Sequence, residues 1–217
     1  SLEKPFFASA LTITNHHPFE VPTEYGLGLG TQDLHNYYNS IHYMDSKLGE
    51  FLSLAEKEAW FENTLIFITA DTSSFQPPQS EPKDFGEFVA LRSRIPLLIL
   101  GGPIKQNAEI NEFASQIDLA PTIMDLLGLA WTSPWVGKSL IAKQDLPIAY
   151  TNRPGSYWAV MSEEGSVFSE NDHKFHVDDL INPKLEGRLK SLGSAWLSVT
   201  SWLLQEDLYW PKLDKNN

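Results

Sequence analysis

The run Asn63-Thr64-Leu65-Ile66-Phe67-Ile68-Thr69-Ala70-Asp71 constrains the fold of this chain more than any other segment. Its apolar centre predicts a buried strand, and a buried strand needs neighbours in a sheet and cover on its faces. The run ends in a carboxylate, and in open α/β sheets ligands and metals sit outside the carboxyl ends of the strands. Asp71 is therefore a candidate metal ligand. The residue after it is Thr72, whose neutral hydroxyl is a poorer metal ligand than an imidazole.

The segments around this strand predict an α/β sheet. Phe6 to Thr14 is mostly apolar and runs into Asn15-His16-His17-Pro18, which predicts a second buried strand entering a loop. Between about Gln32 and Trp60, apolar residues recur at three- and four-residue steps from Leu34 through Tyr37, Ile41, Met44 and Leu48 to Ala55. That period predicts one long amphipathic helix, with Thr31 as its N-cap. Ser73 to Lys83 reads as a loop, and Ile95 to Leu100 as a third apolar strand closed by Gly101-Gly102-Pro103. The three strands are expected in one sheet with the long helix on a face. Ser115 to Leu127 predicts a helix that starts near Asp118 or Ala120, because Pro121 is tolerated only in a first turn, and that stops at Gly128.

The pattern changes after Pro147. Short runs at 148–151, 157–162, 166–169 and 174–177 are separated by turn residues such as Glu163-Glu164-Gly165, which predicts an antiparallel meander. A final helix is expected from about Pro183 to Leu204, with Leu185, Leu189, Leu192, Trp196, Val199 and Leu203 on one face. The expected division is residues 1–145 for the α/β part and 146–217 for the meander and its helix.

Composition narrows the function classes. A net charge of −12 with scattered Lys and Arg excludes the basic face that a nucleic-acid partner requires. The chain has no cysteine, so disulfides and thiolate metal sites are excluded, and an extracytoplasmic compartment suits that composition. No stretch approaches the ~20 apolar residues of a membrane span. The opening Lys4-Pro5-Phe6-Phe7 has no leader-like pattern and reads as the interior of a longer protein.

Three segments in order resemble the sulfatase-like branch of the alkaline phosphatase superfamily, and within it the lipoteichoic acid synthase type of membrane-anchored phosphoglycerol transferase. The first is Asn15-His16-His17-Pro18-Phe19, similar to that group's Asn-His-x-Pro-Phe. The second runs from Tyr38 through Met44-Asp45-Ser46-Lys47-Leu48-Gly49 to Asp71. The third comprises Arg94-Ile95-Pro96-Leu97-Leu98-Ile99, Gln116-Ile117-Asp118-Leu119-Ala120-Pro121-Thr122 and Gly137-Lys138-Ser139-Leu140. The resemblance covers about residues 4–141 and implies the carboxy-terminal part of an alkaline-phosphatase-like α/β fold. By that resemblance Asp71 matches the Asp of an Asp-His metal pair, His16 matches a substrate-binding histidine, and the cofactor is a divalent cation (Mn, Mg or Ca). Thr72 departs from the pattern. The resemblance further implies a nucleophile and a first acidic ligand in an amino-terminal half of the same protein, which would be this chain's partner and its tether to the cell membrane outside the cytoplasm.

The remaining polar candidates have plainer readings. His17 fills the variable motif position. His35 and His42 lie seven apart on the long helix, too distant to share a metal. His173 and His176, with Asp172, Asp178 and Asp179, suit turn chemistry; Asp45 and Asp118 suit structural roles; and Arg92 and Arg94 read as a solvated pair, with anion binding as the alternative. Two functional readings stand. One is part of a phosphoryl- or sulfuryl-ester transferase or hydrolase acting on envelope lipids or glycans. The other is a pseudoenzyme domain that binds a lipid headgroup, glycan or protein. An exposed sheet edge is expected in either case, where a second copy could pair.

Overall fold

The computed structural model describes residues 5–29, 33–73, 82–130, 135–153, 156–170, 174–178 and 181–209. The chain forms two compact units, residues 1–76 with 95–108, and residues 77–94 with 109–217.

The first unit contains one long helix and one strand pair. Helix α1 spans Asp33–Ala55, and its expected N-cap Thr31 lies outside the described residues. Strand β1 (Ile66–Thr69) pairs antiparallel with β2 (Leu97–Leu100), with Ile66 opposite Leu100 and Thr69 opposite Leu97. The loop after β2 lies directly on the one before β1. Gly102 N donates to Phe61 O at 3.2 Å, and Gly101 holds φ at +126°. A Cβ on Gly101 would sit 2.0 Å from Thr64 O, so only glycine serves there.

The expected third strand is not formed. Residues 5–13 have no regular secondary structure and are exposed, Leu11 and Ile13 at 80% each. A strand exists only by pairing its backbone, and among the described residues β1 and β2 pair solely with each other. The apolar run meets the sequence condition for a buried strand, but no neighbouring strand covers it. Phe6 packs edge-on against Trp60 at 6.1 Å.

The second unit is a four-stranded antiparallel meander, β3 (Ala149–Arg153), β4 (Tyr157–Ser162), β5 (Gly165–Glu170) and β6 (Lys174–Val177), in sequence order across the sheet. Alternate residues of β4 serve opposite faces. Trp158 and Val160 join Ile148, Val167, Leu185 and Leu189 in one core, while Ala159 and Met161 join Phe168 and Val89 in another. Helix α4 (Pro183–Gln205) covers the first face and α2 (Phe85–Ser93) the second. Asn182 caps α4 by accepting from Lys184 N at 2.8 Å, with Pro183 in the first turn.

Helix α2 was absent from the sequence expectation. Its signal is a reciprocal cap: the Asp84 side chain accepts from Glu87 N at 2.8 Å while the Glu87 carboxylate accepts from Lys83 N.

Helix α3 (Leu119–Leu126) begins at the expected point, behind a 3-10 turn at Gln116–Asp118, and Gly128 closes it with φ +65°. Asp118 organises this end of the unit. Its carboxylate accepts from Ser115 N and from Lys138 N, both at 2.8 Å. The Ser115 hydroxyl in turn accepts from Tyr150 N at 2.6 Å, which ties the turn to β3. Thr122 Oγ1 donates to Asp118 O and accepts from Leu140 N at 2.9 Å. Burial raises the Asp118 carboxyl above the usual carboxylate range, against the opposing pull of the two N–H donors.

Two glycines of α4 should respond to alanine with opposite signs. A Cβ on Gly193 would lie 2.1 Å from the Trp158 ring, whereas one on Gly187 would meet nothing within 4 Å. In denaturant unfolding, Gly193→Ala should lose about 1–3 kcal/mol, the usual cost of overpacking, and Gly187→Ala should gain roughly 0.5–1 kcal/mol from helix propensity. Asp118→Asn sets an amide against a backbone N–H and should lose about 1–3 kcal/mol. Because the folded state holds the Asp118 proton more tightly than the unfolded state does, the associated stability is complete below the unfolded-state pKa and is lost as pH rises through the folded one. The stability margin of the parent over Asp118→Asn should therefore shrink as pH rises through the acid range. A margin that grows instead would show that the N–H donors outweigh burial.

Candidate active site

His16 and Asp71 both lie in the first unit. Two overlapping turns shape the loop that carries His16: His16 N donates to Ile13 O at 3.0 Å, and Phe19 N donates to His16 O at 2.9 Å. Phe19 ends the second turn with φ at +62°, a left-handed conformation that costs a non-glycine residue roughly 1–2 kcal/mol. Burial offsets that cost. The Phe19 ring is only 8% exposed and packs edge-on against Tyr37 of α1 at 5.4 Å. Phe19 thereby fixes the loop to the helix, a role for the last residue of the Asn-His-x-Pro-Phe segment that sequence reading missed. Its signal was an aromatic residue directly after the loop proline.

The His16 ring is exposed, and its Nδ1 lies 2.9 Å from the His17 carbonyl. A carbonyl only accepts, so the proton of the neutral ring resides on Nδ1 and Nε2 is left as an acceptor toward solvent. In the protonated ring Nε2 becomes a donor. The same nitrogen can thus accept from a hydroxyl or donate to an ester oxygen, according to the state of the ring.

Asp71 lies two residues beyond β1, at the end of the pair where the chain enters β2 through Pro96. Thr69 Oγ1 closes that end by donating to Pro96 O at 2.8 Å. Asp71 is exposed, as is Thr72, whose hydroxyl lies 3.4 Å from Ser73 O. A divalent cation requires several convergent oxygen or imidazole donors. Among the described residues no three His, Asp or Glu side chains gather in a group that could hold one. Among the described residues, one carboxylate followed by a threonine hydroxyl turned to the Ser73 carbonyl does not make up a cation's donor set.

The remaining polar candidates occupy structural surroundings. His176 Nε2 lies 3.1 Å from Glu170 Oε2, with Lys174 3.5 Å from the same oxygen. The His176 contact, aided by Lys174, holds the Glu170 carboxyl below its usual range. His176 lies opposite Phe168 in the β5–β6 pair and reaches Glu170 diagonally, while Asp172, His173 and Asp179 lie outside the described residues. Arg92 lies over the Phe88 ring at 5.6 Å, and Arg94 is the exposed residue that ends α2. His35 is half-buried and His42 exposed on α1. No helix among the described residues is long and apolar enough to cross a membrane.

Comparison with known proteins supplies the relationship. A family model described as sulfatase matches residues 1–129. Lipoteichoic acid synthase 2 of Bacillus subtilis is 25% identical over 213 residues, covering 86% of this chain and 32% of the relative. Lipoteichoic acid synthase of Staphylococcus aureus is 25% identical over 138 residues, covering 59% of this chain and 21% of the relative. The chain thus spans about a third or less of the length of these relatives. Among solved structures, a protein in the alkaline phosphatase superfamily from Vibrio parahaemolyticus superposes with a TM-score of 0.72 at 21% identity, covering 92% of this chain and 49% of that one. A lipoteichoic acid synthase from Listeria monocytogenes gives 0.60 at 19% identity, over 88% of this chain and 52% of that one. At such identities the structural likeness establishes the α/β fold of that superfamily. With residues 1–129 matching its model, the chain belongs to the sulfatase family.

Proposed function

We propose that this chain is the carboxy-terminal part of a phosphoryl- or sulfuryl-ester transferase or hydrolase that acts on envelope lipids or glycans outside the cytoplasm. Sulfatase-family membership carries this reading, and relatives named as lipoteichoic acid synthases support the choice of an envelope substrate. In it, His16 contacts the oxygens of the transferred group or its acceptor through Nε2, held in place by the bond from its own Nδ1. Asp71 contributes one carboxylate to a metal site completed by an amino-terminal half of the same protein, which is also the partner that covers residues 5–13 and anchors the whole to the membrane. A second copy pairing along the same uncovered stretch is the alternative occupant.

Thr72 favours a second reading, a pseudoenzyme that keeps the fold and binds a lipid headgroup, glycan or protein. A hydroxyl is a poor replacement for an imidazole in a metal's immediate surroundings. The 217-residue chain should therefore show no Mn²⁺-dependent turnover of nitrophenyl sulfate or phosphate. Calorimetric titration with Mn²⁺ should show Thr72→His binding more tightly than the parent chain. Turnover by the unmodified chain that disappears in Asp71→Ala would sink the pseudoenzyme reading. If Thr72→His gains no affinity, the site is not assembled by these residues alone and the amino-terminal half must supply the missing ligand.

A further inference from the structure

The outer side of α4 is unlike an ordinary solvated helix face. From Ser191 to Gln205 the helix carries no charged side chain, in a protein where Asp, Glu, Lys and Arg make up 20% of the residues. A helix side turned to water normally carries charges. Leu185 and Leu189 of α4 pack into the meander core. On another side of the helix, Arg188, Ser191, Ala195, Ser198, Trp202 and Glu206 follow one another at three- and four-residue steps and so form one stripe. All six are exposed, and Trp202, an indole that is 53% exposed, is the largest of them.

The stripe can be covered at little polar cost. Its hydroxyls are already satisfied within the helix, since Ser191 Oγ donates to Gly187 O at 2.9 Å and Ser198 Oγ to Ser194 O at 2.8 Å. Burying them strands no donor. The side chains at its centre are also small, so a second helix can approach closely there while the Trp202 ring fills the space beside it.

The two ends of the stripe select its occupant. Arg188 marks the amino-terminal end and Glu206, the C-cap of α4, the other. A surface with a cation at one end, an anion at the other and no charge between them is complementary to itself when turned end for end. An antiparallel copy centred between Ala195 and Ser198 sets Ala195 beside Ser198 of the second copy, Ser191 beside its Trp202 and Arg188 beside its Glu206. The same arrangement opposes the two helix dipoles. A net charge of −12 repels two copies in most orientations, and this stripe lets them meet without like charges in contact. A membrane surface is a poorer match, because the acidic end would face anionic headgroups.

We propose that α4 is the contact between two copies of this chain, packed antiparallel about a two-fold axis, with Trp202 and the Arg188–Glu206 pairs as its anchors. A helix of 23 residues is about 35 Å long, so the contact is small and the dimer reversible. The proposal does not rest on residues 5–13, on Asp71 or on any catalytic activity.

Sedimentation equilibrium of the full 217-residue chain tests this, from about 1 to about 200 μM, the range in which small interfaces dissociate. The parent should be dimeric at the upper end. Trp202→Ala should weaken the dimer about tenfold or more, as truncating a central interface tryptophan does. Leu204→Ala, on the opposite side of the same helix and 65% exposed, should leave it unchanged. Arg188→Glu alone and Glu206→Arg alone should each weaken it about tenfold, because two symmetry-related contacts turn from attraction to repulsion. An equimolar mixture of those two variants should dimerise like the parent, since every end contact again joins opposite charges. Three results would overturn the proposal: a parent chain monomeric throughout, a dimer indifferent to Trp202→Ala or to either reversal, or a mixture as weak as its components. The substituted side chains are all exposed, and circular dichroism will verify folding; should Trp202→Ala unfold, the mixture carries the test.

Discussion

One carboxylate governs the second unit. Asp118 is buried, yet its two oxygens are matched by two backbone N–H groups from separate parts of the chain, Ser115 just before it and Lys138 twenty residues on. A buried anion without those donors would be heavily penalised; with them it becomes a rivet. The start of α3, the loop at 137–140 and the first strand of the meander meet through this residue and its neighbours Ser115 and Thr122. A charge-assisted bond to a main-chain N–H specifies geometry in a way apolar packing cannot, since a methyl group accepts many neighbours and a carboxylate oxygen few.

Among the described residues the first unit has no counterpart to that anchor. Its buried side chains are few, with Phe19, Ala55 and Ser40 the main ones, and it holds together through aromatic contacts along α1 such as Tyr25 against Tyr43 at 4.7 Å. Leu34, Phe51 and Leu54 of α1 stay exposed. Residues 5–13 present the same exposed apolar character.

Legibility in the sequence followed the locality of the forces. The meander was readable almost residue by residue, because period-two alternation and tight turns are local properties, and β4 and β6 fall where expected, at 157–162 and 174–177. Helix α3 was readable from Pro121 and Gly128, whose backbone restrictions are intrinsic. Helix α2 was not, since its nine residues are too few for a clear period and its evidence lay in the Asp84–Glu87 cap. The 6–14 run misled because apolarity reports that a segment wants cover without reporting whether any exists. For the site, the position of Asp71 at a strand's end was readable from sequence. The posture of His16 was not, because it depends on a left-handed Phe19 that packs on a helix eighteen residues away at Tyr37.

Strand β4 has a further consequence, for how this unit can vary. Its even-numbered residues Trp158 and Val160 belong to one core and its odd-numbered Ala159 and Met161 to the other, and each core is sized for the helix that covers it. Inserting or deleting a single residue would exchange the two inventories, sending an indole into the space of a methyl and bringing it up against α2. Length changes in this strand are therefore admissible only in pairs, whereas exchanging one side chain for another leaves the frame intact.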